Sequence, residues 1–277
     1  MADPETALSE GADLLEDLAP LLAVPTVISL LNVGELGAVL SHRGGYIGIE
    51  FPFPVPVGDL WTFVNTPDAG SGVSVTGYGF AGGVFPLPVA LLVAIGYLLL
   101  YGLLAAGYVG SIQEYRGRGT YDFLANARRY VVRYITLTAI IFGLFLLALP
   151  FALVVPPLVL LVALALLVIG YLFWGAWFLV PVADVGVIEG LTRSYNLATT
   201  ESDYAIWSLV HLAVGGGVSL FATWVAVSAS IFGILIALVL VIPIGFVLTV
   251  GSLRTIDDLQ DNRRPPRANP EYDLSPS

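Results

Sequence analysis

The chain alternates between long stretches that are apolar on every side and shorter ones whose polar residues recur at helical spacing. Residues 156–183 carry no charge. A water-soluble helix is apolar on one face only, so this pattern predicts a membrane span over residues 156–181. Similar stretches predict five more, at about residues 20–40, 85–108, 134–155, 204–226 and 231–253. Two intervening segments are amphipathic. In the polar segment of residues 111–134, Phe123, Ala127, Tyr130 and Tyr134 share one helical face, and Asn126, Arg129 and Arg133 share the opposite one. In residues 184–200, Val185, Ile188, Leu191, Tyr195 and Ala198 form the apolar face. The expected fold is therefore an all-α integral membrane protein with six transmembrane helices, two cytoplasmic amphipathic helices lying in the interface, and a small external loop.

That loop, residues 44–83, breaks the pattern with ten glycines and four prolines. Val73, Val75, Tyr78 and Phe80 alternate as in a strand, so the expectation is an external cap with β-hairpin content. Trp61, Phe63 and Tyr78 are expected at headgroup level, where aromatic side chains concentrate. Residues 1–19 carry six carboxylates and no cation. They predict an acidic interfacial helix capped by Asp3-Pro4 and without the basic start of a signal peptide. Residues 20–253 form the membrane domain, and residues 254–277, mixed in charge and rich in proline, are expected to be disordered.

Polar and small residues inside the spans are the next layer. Asn32 and Glu35 interrupt the first span, and an ionised carboxylate at mid-bilayer costs about 2.5–3.5 kcal/mol, which places Glu35 near the headgroups. His211 falls inside the fifth span, where a lone histidine more often bonds a neighbouring segment than a metal. Gly102, Ala106 and Gly110 make a small-residue ridge, and Gly215, Ser219 and Thr223 make another; both predict close helix packing. Pro243 and Gly245 predict a kink in the last span.

Composition agrees with a membrane protein: of 277 residues, 57% are hydrophobic and 12% charged. Mean hydropathy is +0.87. Cysteine is absent and only two histidines occur, so thiol chemistry and a histidine metal cluster are excluded, and no cofactor is expected. All eleven basic residues are arginine against 21 carboxylates, for a formal charge of −10, which points to a salt-adapted cell such as a halophilic archaeon. With both termini cytoplasmic, only Arg43 of the eleven arginines lies outside, as the positive-inside rule asks of a multi-pass protein of the cell membrane. Arg128, Arg129 and Arg133 would then reach anionic headgroups. A thin repeat lays residues 124–129 (LANARR) on 188–193 (IEGLTR).

At VIEGLTRSYNL the chain resembles the membrane domain found fused to some glycerophosphoryl diester phosphodiesterases, and related multi-span proteins of bacteria and haloarchaea. The shared pattern is carried by Pro181, Glu189, Gly190, Arg193, Ser194, Tyr195 and Leu197. The resemblance covers about residues 85–250 and includes no catalytic domain, so it implies a helical membrane module rather than an activity. Asp184, Glu189 and Arg193 read as a cap and a surface ion pair, and no phosphate loop, serine elbow or zinc signature appears, so no enzymatic activity is expected. Two functions remain: a non-catalytic module that organises lipid or a partner protein, and a transporter or permease subunit for a small solute or ion. The few ionisable groups in the spans favour the first.

Overall fold

The computed structural model describes residues 3–67, 87–154 and 158–262. Among them it is all-helical, in the order α1 (Pro4–Asp13), α2 (Ala23–Leu31), α3 (Val33–Ser41), α4 (Leu60–Phe63), α5 (Leu87–Arg118), α6 (Phe123–Val154), α7 (Leu158–Phe173), α8 (Gly175–Val182), α9 (Val187–Thr200), α10 (Ser202–Ser228) and α11 (Ser230–Asn262). Among the described residues four stretches are long and apolar enough to cross a membrane: Leu92–Arg118, Leu160–Val182, Ser202–Ser228 and Ser230–Asp261. The α2–α3 pair, bent by 64° at Asn32, makes a fifth if it is one span.

Antiparallel hairpins supply the frame. The ridge of α5 does what its spacing predicts within the chain: a Cβ on Gly102 would meet the Ile135 backbone at 3.0 Å, and one on Gly110 would meet Asn126 and Tyr130 of α6. In the other hairpin the Trp207 indole N–H of α10 donates to Ser252 Oγ of α11 at 3.0 Å. Between the pairs, α7 breaks at Trp174 and continues as α8. The carbonyl of Leu172 accepts from Ser194 Oγ of α9 at 2.8 Å, and Tyr204 Oη donates to it at 3.4 Å. Pro181 has no N–H to return to Trp177, and that carbonyl accepts from Tyr134 Oη of α6 at 2.7 Å. Each break in one helix is thus closed by a hydroxyl from another.

Several expectations are corrected. The first amphipathic stretch is not a separate helix, because α6 runs unbroken from Phe123 through residues assigned to the third span. Ala127, Tyr130 and Tyr134 do face inward, but so does Asn126, whose amide donates to Glu114 at 2.7 Å. The second is a discrete helix, α9, yet its inward face is Gly190, Ser194, Leu197 and Ala198. Ile188 and Tyr195 of the expected apolar face are exposed. This difference between α6 and α9 leaves the proposed repeat without a shared form. The last helix reaches Asn262, so residues 254–262 of the expected disordered tail are helical; ion pairs from Arg254 to Glu10 and Asp258 hold them. The acidic helix α1 keeps Glu5, Thr6, Ser9, Ala12 and Asp13 exposed and packs its other face closely on the bundle: Ala7 and Gly11 are buried, and a Cβ on Gly11 would meet the Val247 backbone at 2.8 Å.

Candidate functional site

The largest departure concerns residues 44–67. No strand occurs among the described residues of this loop, and while Gly44, Gly45, Ile47, Ile49 and Phe51 are exposed, the chain from Pro52 on is inserted into the bundle, with α4 packed against α2, α10 and α11. Trp61 and Phe63, expected at headgroup level, are each 1% exposed. Tyr78 and the strand-like alternation from Val73 to Phe80 lie outside the described residues.

Non-helical backbone inside a helical bundle must find partners for its peptide groups. This sequence solves the problem in two ways. In Phe51-Pro52-Phe53-Pro54-Val55-Pro56 every second residue lacks an N–H, which removes donors and holds the chain extended. Three of the remaining donors meet hydroxyls on the helices: Glu50 N–H donates to Ser219 Oγ at 2.7 Å, Leu60 N–H to Ser29 Oγ at 2.9 Å and Asn65 N–H to Thr223 Oγ1 at 2.9 Å. His211 Nδ1 and the Pro52 carbonyl are 3.0 Å apart, and Trp61 Nε1 donates to the Ser29 carbonyl at 2.7 Å.

His211, Gly215, Ser219 and Thr223 succeed one another at four-residue steps along α10. The second predicted ridge therefore receives an extended chain rather than a helix. A Cβ at Gly215 would meet Pro52 Cγ at 2.8 Å, and one at Gly216 would meet the Phe51 ring at 2.8 Å. On α11, a Cβ at Gly245 would stand 2.3 Å from the Gly58 carbonyl, so the close approach there is backbone to backbone.

The insertion brings carboxylates with it. Asp59 caps α4, accepting from Thr62 N–H at 2.9 Å and from its hydroxyl at 2.7 Å, and is 8% exposed. Glu50 accepts from the Asn65 side-chain amide, and Asn65 in turn accepts from the Tyr46 hydroxyl. Glu35, which was expected near the headgroups, is buried and accepts from Thr66 Oγ1. Asn32 caps α3 at the bend, its Oδ1 accepting from Glu35 N–H at 3.4 Å. On the segment itself, outside the spans, burial pushes the Asp59 carboxyl up to about 6 despite the Thr62 bonds. Burial also raises Glu50 against the lowering effect of Asn65, and the charge of Glu35 pushes both in the same direction.

A cavity of about 390 Å³ opens on the side of the segment away from α10, with Glu50, Asp59 and Thr62 on one wall and Tyr97, Tyr101 and Trp177 opposite. Among the described residues no group of three carboxylates or histidines is spaced to hold a metal ion.

The residues of the family-like pattern lie elsewhere, at the α8–α9 joint. Ser194 and Pro181 serve the helix breaks described above, and Leu197 is fully buried. Glu189 pairs with Arg193 at 2.5 Å, and Arg193 also donates to Gln260 of α11 at 3.2 Å. Gly190 faces the Ala176 carbonyl at ordinary contact distance, and Tyr195 is exposed. Asp184 does not join Glu189 and Arg193; it bonds Arg129 at 2.8 Å and Arg133 at 2.7 Å. Comparison of the chain with protein-family models, curated proteins and solved structures finds no match.

Sequence reasoning singled out Glu35, His211 and the Gly215, Ser219, Thr223 ridge, and the structure brings these to one inserted segment, whereas Asn32 serves only the cap of α3. Sequence reasoning missed Glu50, Asp59, Ser29, Asn65 and Thr66. The available signal was the proline alternation from Pro52 to Pro56 inside a run whose only charges are Glu50 and Asp59.

Proposed function

We propose that this chain is a transport protein of the cell membrane that passes protons or a small cation through the cavity beside residues 50–62. One observation carries the reading: a non-helical segment within the bundle presents two carboxylates to a cavity. Irregular backbone at membrane depth is tolerated only where it is buried in protein or lines a water-filled space, and ionisable groups there mark solute pathways. Glu50 and Asp59 would accept the proton or cation, and the hydroxyls of α10 would keep the segment in place. No covalent chemistry is assigned.

The topology that goes with this reading has six crossings: α2–α3, α5, α6, α7–α8, α10 and α11. Both termini and the paired arginines are cytoplasmic, in the salt-adapted cell that the lysine-free composition suggests, and the resemblance at residues 187–197 belongs to the same proposal. An impermeant thiol reagent that labels Gly119→Cys from outside intact cells would reverse the orientation. The transport test is flux of protons or sodium into proteoliposomes. Flux above that of empty vesicles, abolished in Asp59→Asn and Glu50→Gln, is the expected result; flux equal to that of empty vesicles overturns it.

The second reading, a non-catalytic module that organises lipid or a membrane partner, is favoured by α9. Its exposed Ile188 and Tyr195 give it an apolar edge suited to an interface. A protein without flux that retains a defined set of lipids on purification would support it.

A further inference from the structure

A second concavity lies on the outer face of the bundle, between α6 and α7–α8, with a volume of about 450 Å³. Its α6 wall is a single helical stripe: Leu137, Ile140, Ile141 and Leu144. Continued towards the start of α6 by four-residue steps, the same stripe carries Arg133 and Arg129. The facing wall repeats the arrangement. Ile169, Phe173 and Trp177 line the groove, and the chain then reaches Asp184 just past the end of α8. Asp184, in the left-handed region at φ 50°, meets both arginines. From α9, Leu191, Thr192 and Tyr195 close the same end.

The groove is thus apolar along its length and charged at one end. Two guanidiniums converge there on a single carboxylate, leaving one positive charge in excess, and Arg128 stands exposed beside them. Both guanidiniums also lie over the Tyr130 ring, 5.3 and 5.7 Å from its centroid, which keeps them at the mouth. An occupant must be apolar for most of its length, carry a negative head, and reach the groove from the side of the bundle.

We infer that this groove is a binding site for one anionic glycerophospholipid, with an acyl chain between Leu137–Leu144 and Ile169–Trp177 and the phosphate at Arg129 and Arg133. The inference requires membrane placement but not transport. Asp184 competes with the phosphate for the arginines, so it weakens the site as well as shaping it. Ile141 and Trp177 also line the carboxylate cavity, so the bound chain would form part of the wall between the cavity and the bilayer.

The test is native mass spectrometry of the full chain in detergent, titrated with dioleoylphosphatidylglycerol or dioleoylphosphatidylcholine. The wild type is expected to retain one phosphatidylglycerol in preference to phosphatidylcholine. A cation near a membrane surface attracts anionic lipid by about fivefold, so Arg129→Gln with Arg133→Gln should lose most of that preference. Asp184→Asn, which frees the arginines, should increase it. Ile140→Trp, which fills the groove, should remove the bound lipid without changing the helical content. A merely structural role for the ion pairs predicts that the arginine and Asp184 variants shift binding in the same direction, and that result overturns the site. Equal retention of the two lipids, or full retention in Ile140→Trp, overturns it as well. Should the double arginine variant fail to fold, Asp184→Asn decides alone by the sign of its effect.

Discussion

Acidic side chains meet partners from other elements in two regions of this protein, and those partners differ. At the arginine-rich end, Glu10 of α1 meets Arg116 at 2.6 Å and Arg254 at 2.7 Å, Asp257 adds a contact to Arg116 at 3.4 Å, and Asp184 meets two arginines. On the inserted segment, Glu50 and Asp59 meet an amide and a threonine and form no salt bridge among the described residues. Burial raises Glu10, but hydrogen bonds and charge from the two arginines outweigh it and hold its carboxyl below the usual range. Bonds from Arg129 and Arg133 do the same for Asp184, whereas burial prevails at Asp59 and Glu50. An acid paired with cations stays ionised and acts as a clamp. Asp59, paired with neutral dipoles, is instead held neutral up to about pH 6 by burial, and Glu50 is raised in the same direction.

The contrast is broken most severely at the backbone contact under the segment. Gly245→Val forces a side chain into the Gly58 carbonyl, where neither backbone can yield cheaply, and should cost more than about 3 kcal/mol. Thermal unfolding in detergent would show this as a large fall in Tm. An unchanged Tm would mean that residues 57–60 do not sit against α11. Glu10→Gln comes next: it strips a nearly buried guanidinium of its nearest anion, but Gln113 and Asp257 still bond Arg116, so the expected loss is about 2 kcal/mol.

The pH dependence sharpens the comparison because the two regions have opposite sign. With its folded pKa at about 6 against 3.8 unfolded, Asp59 favours the fold most at low pH and loses that contribution as pH rises through 6. Glu10, with a lowered pKa, contributes above 4.5 and loses its contribution as pH falls through its folded value. The Tm difference between wild type and Asp59→Asn should shift between pH 7 and 5, and that between wild type and Glu10→Gln should shift only under more acid conditions. The smallest effect is a control inside one glycine run. Gly217 has open space where a Cβ would go, so Gly217→Ala should be neutral or stabilise α10 by up to about 1 kcal/mol. Gly215→Ala, aimed at Pro52, should destabilise by about 1–3 kcal/mol. Equal effects at the two positions would remove the segment from this face of α10.

From sequence alone, hydropathy and spacing were enough to place the long apolar helices, the α5–α6 packing ridge and the Glu189–Arg193 pair. Each depends on a period of three or four residues within one helix, or on an unbroken apolar run, and both are local properties. Only the tertiary structure decided where residues 44–67 go, that Asn126 turns inward, and that Glu35 and Asp59 are buried. A proline-alternating segment has no helical period to read. Its peptide groups are satisfied by Ser29, Ser219 and Thr223, which lie 31, 169 and 158 residues away from their partners. No window along the chain contains both ends of those bonds. The same ridge of small and hydroxyl residues on α10 serves equally well to receive a helix or a chain of peptide donors, and only the three-dimensional packing chooses between them.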